Sequence, residues 1–416
     1  MGEARRAVEA VWRSESGRIV GALARYTRDF ALAEDVAQEA LAEALVSWSV
    51  NGVPEKPANW LTAVGRRRAI DAFRRRAGAD ERYAILAREL DQAEPGADAL
   101  FDPDAINDDK LALIFTACHP ILPKESRIPL TLRVVGGLTT NEIAAALLIP
   151  VPTVQARITR AKKALQAAQV PFAVPEPAER PARLGSVLNV IYLIFTEGSS
   201  ASHGSSWMRT DLAYEAIRLC RILVQLAPEP EVYGLLALME LTAARFPARL
   251  DANGRPVLLE DQDRRRWDQS AIRRGRAALA KAAAAGRGLG AYGLQAAIAE
   301  CHAVAPSVAE TDWDRIVALY DALGQLIPSP VIDLNRAAAV AMASGPAAGL
   351  RLVDEVAATG QLDQSHLVYA VRAGLLDRLG RHDQARTEYL RAAELCDNES
   401  ERTVLLEKAE AQRAGT

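Results

Sequence analysis

The chain of 416 residues is poor in the groups that carry most metal and nucleophilic chemistry. It has four cysteines, Cys118, Cys220, Cys301 and Cys396, and five histidines. The cysteines are widely separated and form no CxxC pair, whereas zinc sites usually draw on ligands paired at short spacing. Cys118-His119 and Cys301-His302 are adjacent pairs, yet burial is the expected state of all four thiols. No metal and no cofactor is expected. His203, His302, His366 and His382 stand isolated along the chain and read as structural. Long apolar runs are missing too. The longest, around Val190 to Phe195, falls far short of the ~20 residues of a membrane span, so no membrane partner is expected. Nothing near Met1 resembles a secretory signal, and a cytoplasmic location is expected. The net charge of −3 supplies no global attraction for nucleic acid, so such affinity must come from local basic surfaces.

What is present reads as helix throughout. Half of the residues are apolar and a quarter charged, the balance of a well-cored protein, and the length exceeds one compact helical domain. The most informative stretch is Leu138 to Gln166. Thr139 and Glu142 have capping-box spacing, and Ile143, Ala144, Leu147 and Leu148 fall on one helix face. Pro150 and Pro152 then break the helix, and Pro152 suits the first turn of the next. In that second helix Val154, Ile158, Ala161 and Leu165 form a stripe, with Gln155, Ala156, Thr159 and Lys163 opposite, flanked by Arg157, Arg160 and Lys162. Two short helices, the second apolar on one side and polar-basic on the other, form a helix-turn-helix pattern. Short polar groups there can reach base edges and the cations can reach phosphates.

Upstream, residues 4–27 carry Val8, Val11, Trp12, Ile19, Leu23 and Tyr26 at helical spacing. Asp29 or a neighbour can cap an Ala-rich helix ending near Trp48, whose Glu34, Asp35, Glu39 and Glu43 offer an acidic face to a basic partner. A loop is expected from Asn51 to Asn59. A helix with six arginines and one acid between Arg66 and Arg76 follows. Ala63, Ile70, Phe73 and Ala77 form its partial apolar stripe, interrupted by Arg66. Arginine suits phosphate because its planar donors pair two at a time. From Glu89 to Asp109 there are eight acids and no base, a self-repelling linker whose charge could screen the arginine helix. Helix resumes from Lys110 to Cys118 and again from Ser126 to Val135.

On these motifs the first 170 residues resemble an extracytoplasmic-function sigma factor of bacterial RNA polymerase. Asp35-Val36-Ala37-Gln38-Glu39 resembles the family's polymerase-clamp-binding helix. Trp60-Leu61, the arginine run, Ile70-Asp71 and Arg74 resemble its promoter-melting helix. Glu142-Ile143-Ala144, Thr153-Val154 and Arg157…Arg160-Ala161 resemble its −35-reading helix-turn-helix. Arg68 stands where many members have asparagine, Val36-Ala37 replaces the commoner Leu-Val, and Pro152 replaces a frequent glycine.

The resemblance implies core polymerase contacts at Asp35, Gln38 and Glu39. It implies −10 DNA contacts at Asn59, Trp60, Arg66, Arg67, Arg68, Asp71, Arg74 and Arg75, with a flipped base received by the Asn51 to Asn59 loop. It implies −35 contacts at Thr153, Gln155, Ala156, Arg157, Thr159, Arg160 and Lys163. Core RNA polymerase and promoter DNA would be the partners, and polymerase would perform the chemistry, so no catalytic residue is expected and the chain is not expected to be an enzyme.

The second half opens with Pro171, Pro175, Pro177 and Pro181, an extended, stiff linker. Gly380, Ala385, Tyr389 and Ala392 match the turn and small packing positions of a tetratricopeptide unit, and another turn glycine, Gly345, lies close to the expected period. Ala216 to Pro228 fits the end of a degenerate repeat. This half resembles the tetratricopeptide-like extension of one sigma subgroup, in IYLIFTEG, GLLALMEL, DQDRRRWD and TDWDRI, with Thr196-Glu197-Gly198-Ser199 departing from the commoner Asn-Glu-Gly-Tyr. Glu260, Asp261, Asp263 and Asp268 around Arg264 to Arg266 read as a charge-paired loop or helix start, because no histidine or nucleophile accompanies them.

The expected architecture is therefore all-α. Residues 1–77 form a sigma region 2, 78–109 an acidic linker, 110–169 a sigma region 4, 170–184 a proline-rich linker and 185–416 a helical-repeat domain. That last domain would present a surface for a protein or peptide partner and regulate an alternative sigma factor in place of a separate anti-sigma protein. The rivals are a ligand- or partner-responsive helix-turn-helix regulator that does not bind polymerase as a sigma, and a repeat scaffold outside transcription.

Overall fold

A computed structural model describes residues 2–77, 103–147, 149–199, 208–251, 255–257, 259–284, 288–396 and 398–412. Among them the regular structure is helical, with one isolated bridge between Leu250 and Pro256. The chain divides into two compact units, Met1–Leu193 and Ile194–Thr416.

The first unit begins with α1 (Gly2–Thr27), α2 (Phe30–Asn51) and α3 (Pro57–Ala77). Asp29 caps α2, its carboxylate accepting from the Leu32 amide at 3.0 Å, which satisfies a donor that the first turn leaves open. Gly52, at φ +80°, ends that helix. The three helices pack around Ile19, Leu23, Ala40, Leu61 and Phe73, all buried. Gly65 lets α3 approach α1: a Cβ there would stand 2.8 Å from Leu23.

Next come α4 (Pro103–Ala117), α5 (Lys124–Val134), α6 (Thr140–Leu147) and α7 (Val151–Ala167). The capping box is formed. The Thr139 amide donates to Glu142 Oε2 at 2.7 Å and the Glu142 amide to Thr139 Oγ1 at 3.2 Å. On α7 the buried residues are Val154, Ile158, Ala161 and Leu165, the four of the expected stripe.

Four expectations need correction. The loop after α2 is shorter than Asn51 to Asn59, because Asn51 still belongs to α2 and Pro57 already opens α3; proline is tolerated in a first turn, where its missing donor is not needed. Helix α4 starts at Pro103 rather than Lys110, so the end of the acidic segment is helical, while residues 78–102 lie outside the described residues. Pro181 likewise sits in the first turn of α8 (Arg180–Ser199). On α3, Ala63 is exposed and the buried face runs through Leu61, Val64, Ala69, Ala72 and Phe73. Arg66 crosses it by laying its guanidinium over the Tyr26 ring, 4.7 Å from the centroid, so its stem can stay on the apolar side.

The N-terminal half of α8 belongs to the first unit. Arg183 donates to the Phe115 carbonyl at 3.0 Å and Ser186 to the Cys118 carbonyl at 2.7 Å.

The second unit consists of helices packed on their chain neighbours: α9 (Thr210–Leu226), α10 (Pro230–Ala243), α11 (Gln269–Ala283), α12 (Ala291–Val304), α13 (Trp313–Leu326), α14 (Pro330–Ser344), α15 (Pro346–Ala358), α16 (His366–Arg378), α17 (His382–Leu395) and α18 (Glu399–Ala411). The tetratricopeptide-like unit is α16 and α17. Gly380 makes the turn at φ +71°, and Ala385, Tyr389 and Ala392 are buried. Gly345, at φ +95°, turns the chain between α14 and α15. Two arginines hold helix C-terminal carbonyls: Arg249 donates to Ser199 at 2.8 Å and Arg264 to Ala305 at 2.7 Å. Asp268 caps α11 and Asp263 caps the short turn before it, which is the structural role expected of both.

Candidate nucleic-acid interface

Three surfaces of the first unit hold the expected site residues. The first is a stripe on α2. Asp35 and Glu39 are exposed and Gln38 is half-buried, one turn apart on one side of the helix. None of the three points into empty solvent. Asp35 is ion-paired with Lys162, Gln38 Oε1 accepts from Arg133, and Glu39 lies 4.0 Å from Arg68 Nε. Glu34 beside them is buried, with Lys162 Nζ at 2.7 Å and Arg133 Nε at 3.6 Å. Burial pulls the Lys162 ammonium down, but Glu34 and Asp35 more than offset this and hold its pKa above the ordinary lysine value.

The second surface is the start of α3 and the arginine face. Asn59, half-buried, lines an open cavity of about 610 Å³ together with Lys56, Arg18, Glu15 and Ser14. Trp60 meets Trp48 edge-on, with ring centroids 5.6 Å apart. Arg67 and Arg68 both donate to Glu43, at 2.5 and 2.6 Å. The arginines are thus screened in part by α2, a source of charge other than the acidic linker expected to do so. Asp71, Arg74 and Arg75 are exposed.

The third surface is α7. Gln155, Ala156, Thr159, Arg160 and Lys163 are exposed and Thr153 and Arg157 half-buried. An 8-residue α6 leads into α7 across Pro150, the geometry in which a second helix can enter a major groove.

A protein of Rhizobium meliloti (strain 1021), described as uncharacterized, is 44% identical over 388 residues, covering 92% of this chain and 90% of that one. Residues 11–78 match the family described as sigma-70 region 2, and residues 112–165 match sigma-70, region 4. The chain is an extracytoplasmic-function-type sigma factor. The sigma-H factor of RNA polymerase from Pseudomonas aeruginosa is 29% identical over 160 residues, 37% of this chain and 82% of that protein. Residues 183–283 match a family of unknown function, DUF6596. Alignment with the solved structure of the P58(IPK) tetratricopeptide domain covers 91% of this chain and 98% of that one, at 11% identity and a TM-score of 0.26.

As an alternative sigma factor the chain directs transcription initiation, and core RNA polymerase and promoter DNA are the partners that its two sigma regions imply. Sequence reasoning missed three features of this sigma factor. Glu43 reads in the sequence only as part of a general acidic face, yet it holds two arginines. Val46, Val50 and Val53 form an exposed apolar run at the end of α2 and just beyond it, visible in the sequence only once the buried side of α2 is known. His366 is not isolated: it accepts or donates a 3.2 Å hydrogen bond with Glu401, and their ligand atoms and the Cys396 sulfur lie within 4.8 Å of one another. All four cysteines are buried. No described helix is long and apolar enough to cross a membrane.

Proposed function

We propose that this sigma factor binds the clamp of core polymerase through Asp35, Gln38 and Glu39 on α2. It receives a base flipped from the −10 strand beside Asn59 and Trp60, holds adjacent phosphates with Arg66, Arg67, Arg68, Arg74 and Arg75, and orients that segment through Asp71. It reads the −35 groove with Gln155, Ala156 and Thr159, assisted by Thr153, Arg157, Arg160 and Lys163. The observation that carries this assignment is the pairing, within one unit, of an acidic α2 stripe with an α7 whose apolar residues are buried and whose polar-basic residues are exposed. The cavity beside Asn59 supports the base-flipping role, since unstacked bases are read in pockets.

The sigma regions lie within 1–77 and 103–193 and the repeats beyond residue 193, with the repeat domain binding a protein or peptide partner and regulating initiation. Polymerase performs the chemistry, this chain catalyses nothing, and it works in the cytoplasm. The test is run-off transcription with purified core polymerase and full-length chain. Asp35→Lys with Glu39→Lys should abolish both core binding and transcripts; transcription persisting with normal core binding would overturn the assignment of α2. Regulation by the repeats is tested by a chain ending at residue 193, which keeps the Arg183 and Ser186 contacts. Output identical to full length under every condition would exclude a regulatory role.

A further inference from the structure

We propose that His366, Cys396 and Glu401 hold a zinc ion near the C-terminal end of the second unit, tying the start of α16 to the turn between α17 and α18. The imidazole nitrogen, the sulfur and the carboxylate oxygen lie within 4.8 Å of one another, and no other three such groups converge among the described residues. The cluster falls beyond residue 283, where the last family match ends, and it is independent of the polymerase and promoter assignments.

Each ligand sits at a helix end that the chain fixes without any metal. Ser365 caps α16, its hydroxyl accepting from the Leu367 amide at 3.4 Å, so His366 is the first residue of that helix. Cys396 ends α17, and Arg402 donates to its carbonyl from Nε at 3.0 Å and from Nη2 at 2.9 Å. Asn398 caps α18, its side-chain oxygen accepting from the Ser400 and Glu401 amides at 3.1 Å each, which places Glu401 in the first turn. The three side chains are therefore held on rigid elements, the first requirement of a precise metal site. Sequence spacing conceals the group. Zinc ligands usually come in pairs a few residues apart, whereas His366 and Glu401 are 35 positions apart and only tertiary packing brings them together.

The donor set and its spacing suit zinc. With metal bonds of about 2.0–2.2 Å to nitrogen and oxygen and about 2.3 Å to sulfur, tetrahedral ligands stand about 3.3–3.6 Å apart. His366 Nε2 and Glu401 Oε1 are already 3.2 Å apart, and the sulfur has roughly 1 Å at most to close. A thiolate beside an imidazole disfavours magnesium and calcium, which take oxygen ligands. Thiolate and carboxylate together cancel the charge of the dication, so the loaded site is neutral where it borders the apolar core of Cys396, Leu405 and Ala409. On loading, the Cys396 thiol gives up its hydrogen bond to the Asn398 carbonyl, 3.5 Å away; its proton leaves to solvent, the sulfur–zinc bond forms, and nothing is oxidised or reduced. His366 and Glu401 keep 24% and 34% of their side chains exposed, which leaves an entry path, and three protein ligands leave the fourth position to water.

The probe is Co2+, which occupies zinc sites and reports a thiolate ligand by its absorption. The full-length chain, stripped of metal with a chelator, should take up a single Co2+ with a thiolate-to-cobalt charge-transfer band in the near ultraviolet, and Zn2+ should abolish that band by displacement. Cys396→Ser should lack the band. A second variant covers a folding failure of the first: Glu401→Gln keeps a hydrogen-bonding partner for His366 but removes the anionic ligand. It should weaken Zn2+ binding by about a hundredfold or more, because loss of even an outer-shell partner costs about 10–100-fold. Zn2+ should raise the Tm of the wild-type chain and leave that of Glu401→Gln unmoved. A hydrogen bond beside a buried thiol, with no metal role, predicts no charge-transfer band and the same Tm response in both chains. Absence of the band from the wild type, its persistence in Cys396→Ser, or equal Zn2+ affinity of the wild type and Glu401→Gln each overturns the site; in the last two cases the bound metal is an adventitious ion only.

Discussion

Arg68 on α3 donates to Glu43 on α2 at 2.6 Å, and Arg67 donates to the other oxygen of the same carboxylate at 2.5 Å. The hydrogen bond from Arg68, with help from Arg67, holds the Glu43 carboxyl below its ordinary value despite partial burial. The two cations proposed to meet −10 phosphates are therefore engaged before DNA arrives. Removing the carboxylate's charge should release them. Glu43→Gln is expected to tighten holoenzyme binding to single-stranded −10 DNA about threefold and to steepen its salt dependence by about one unit of log slope. Titration at several salt concentrations checks this; an unchanged slope would mean that neither arginine reaches a phosphate.

On α7 the two kinds of exposed residue should separate in their effects. Lys163→Ala should weaken binding to all duplexes alike and lower the salt slope by about 1. Gln155→Ala should instead flatten the preference at one base pair, by about 1–3 kcal/mol. Competition binding with single-position variants of the −35 element distinguishes them.

The Thr139–Glu142 box caps the N-terminus of α6. Thr139→Ala leaves the Glu142 amide without its side-chain acceptor and should cost about 1 kcal/mol. Urea unfolding of the full-length chain followed by a signal from the first unit is the measurement, and Thr139→Ser should restore most of the loss.

His302 gives the second unit a pH dependence. Burial, with the neighbouring guanidinium groups of Arg245 and Arg264, pushes its imidazole down to about 4. The unfolded chain binds a proton near pH 6.5 and the folded one does not until about pH 4. Stability should thus be full above about pH 6.5, fall as pH drops toward 4, and level off below it. The amplitude is roughly 3 kcal/mol, because each tenfold difference in proton affinity between the folded and unfolded chain is worth about 1.4 kcal/mol. Thermal unfolding followed from neutral to mildly acidic pH should show the fall in the wild type and a much shallower one in His302→Gln.

Much of the helical architecture could be read directly from the residues. Asp29, Thr139, Glu142, Gly345 and Gly380 act where their types predict, because caps and turns are settled within a few residues. The buried stripe of α7 was legible for a related reason: periodicity of four and three needs only one helix and one core. The stripe of α3 was not, since Arg66 lies across the buried face by stacking on Tyr26, an aromatic 40 positions away in the chain that no local pattern announces. Prolines misled in one direction. Pro57, Pro103 and Pro181 open helices rather than mark loops, because a first-turn residue has no intrahelical partner for its amide anyway.

By itself, then, the sequence determined the helical core of most segments, the caps at Asp29 and Thr139, and which types of group most faces offer, all consequences of short-range geometry. Only the tertiary structure decided which charge meets which. Lys162 and Asp35 are 127 positions apart, and Arg133 and Gln38 are 95 apart. Every arginine, lysine and acid in a chain this rich in both has many potential partners of opposite sign. Coulomb attraction is too unspecific to choose among them until packing brings two helices within a few ångströms and excludes the water that would otherwise solvate each charge alone.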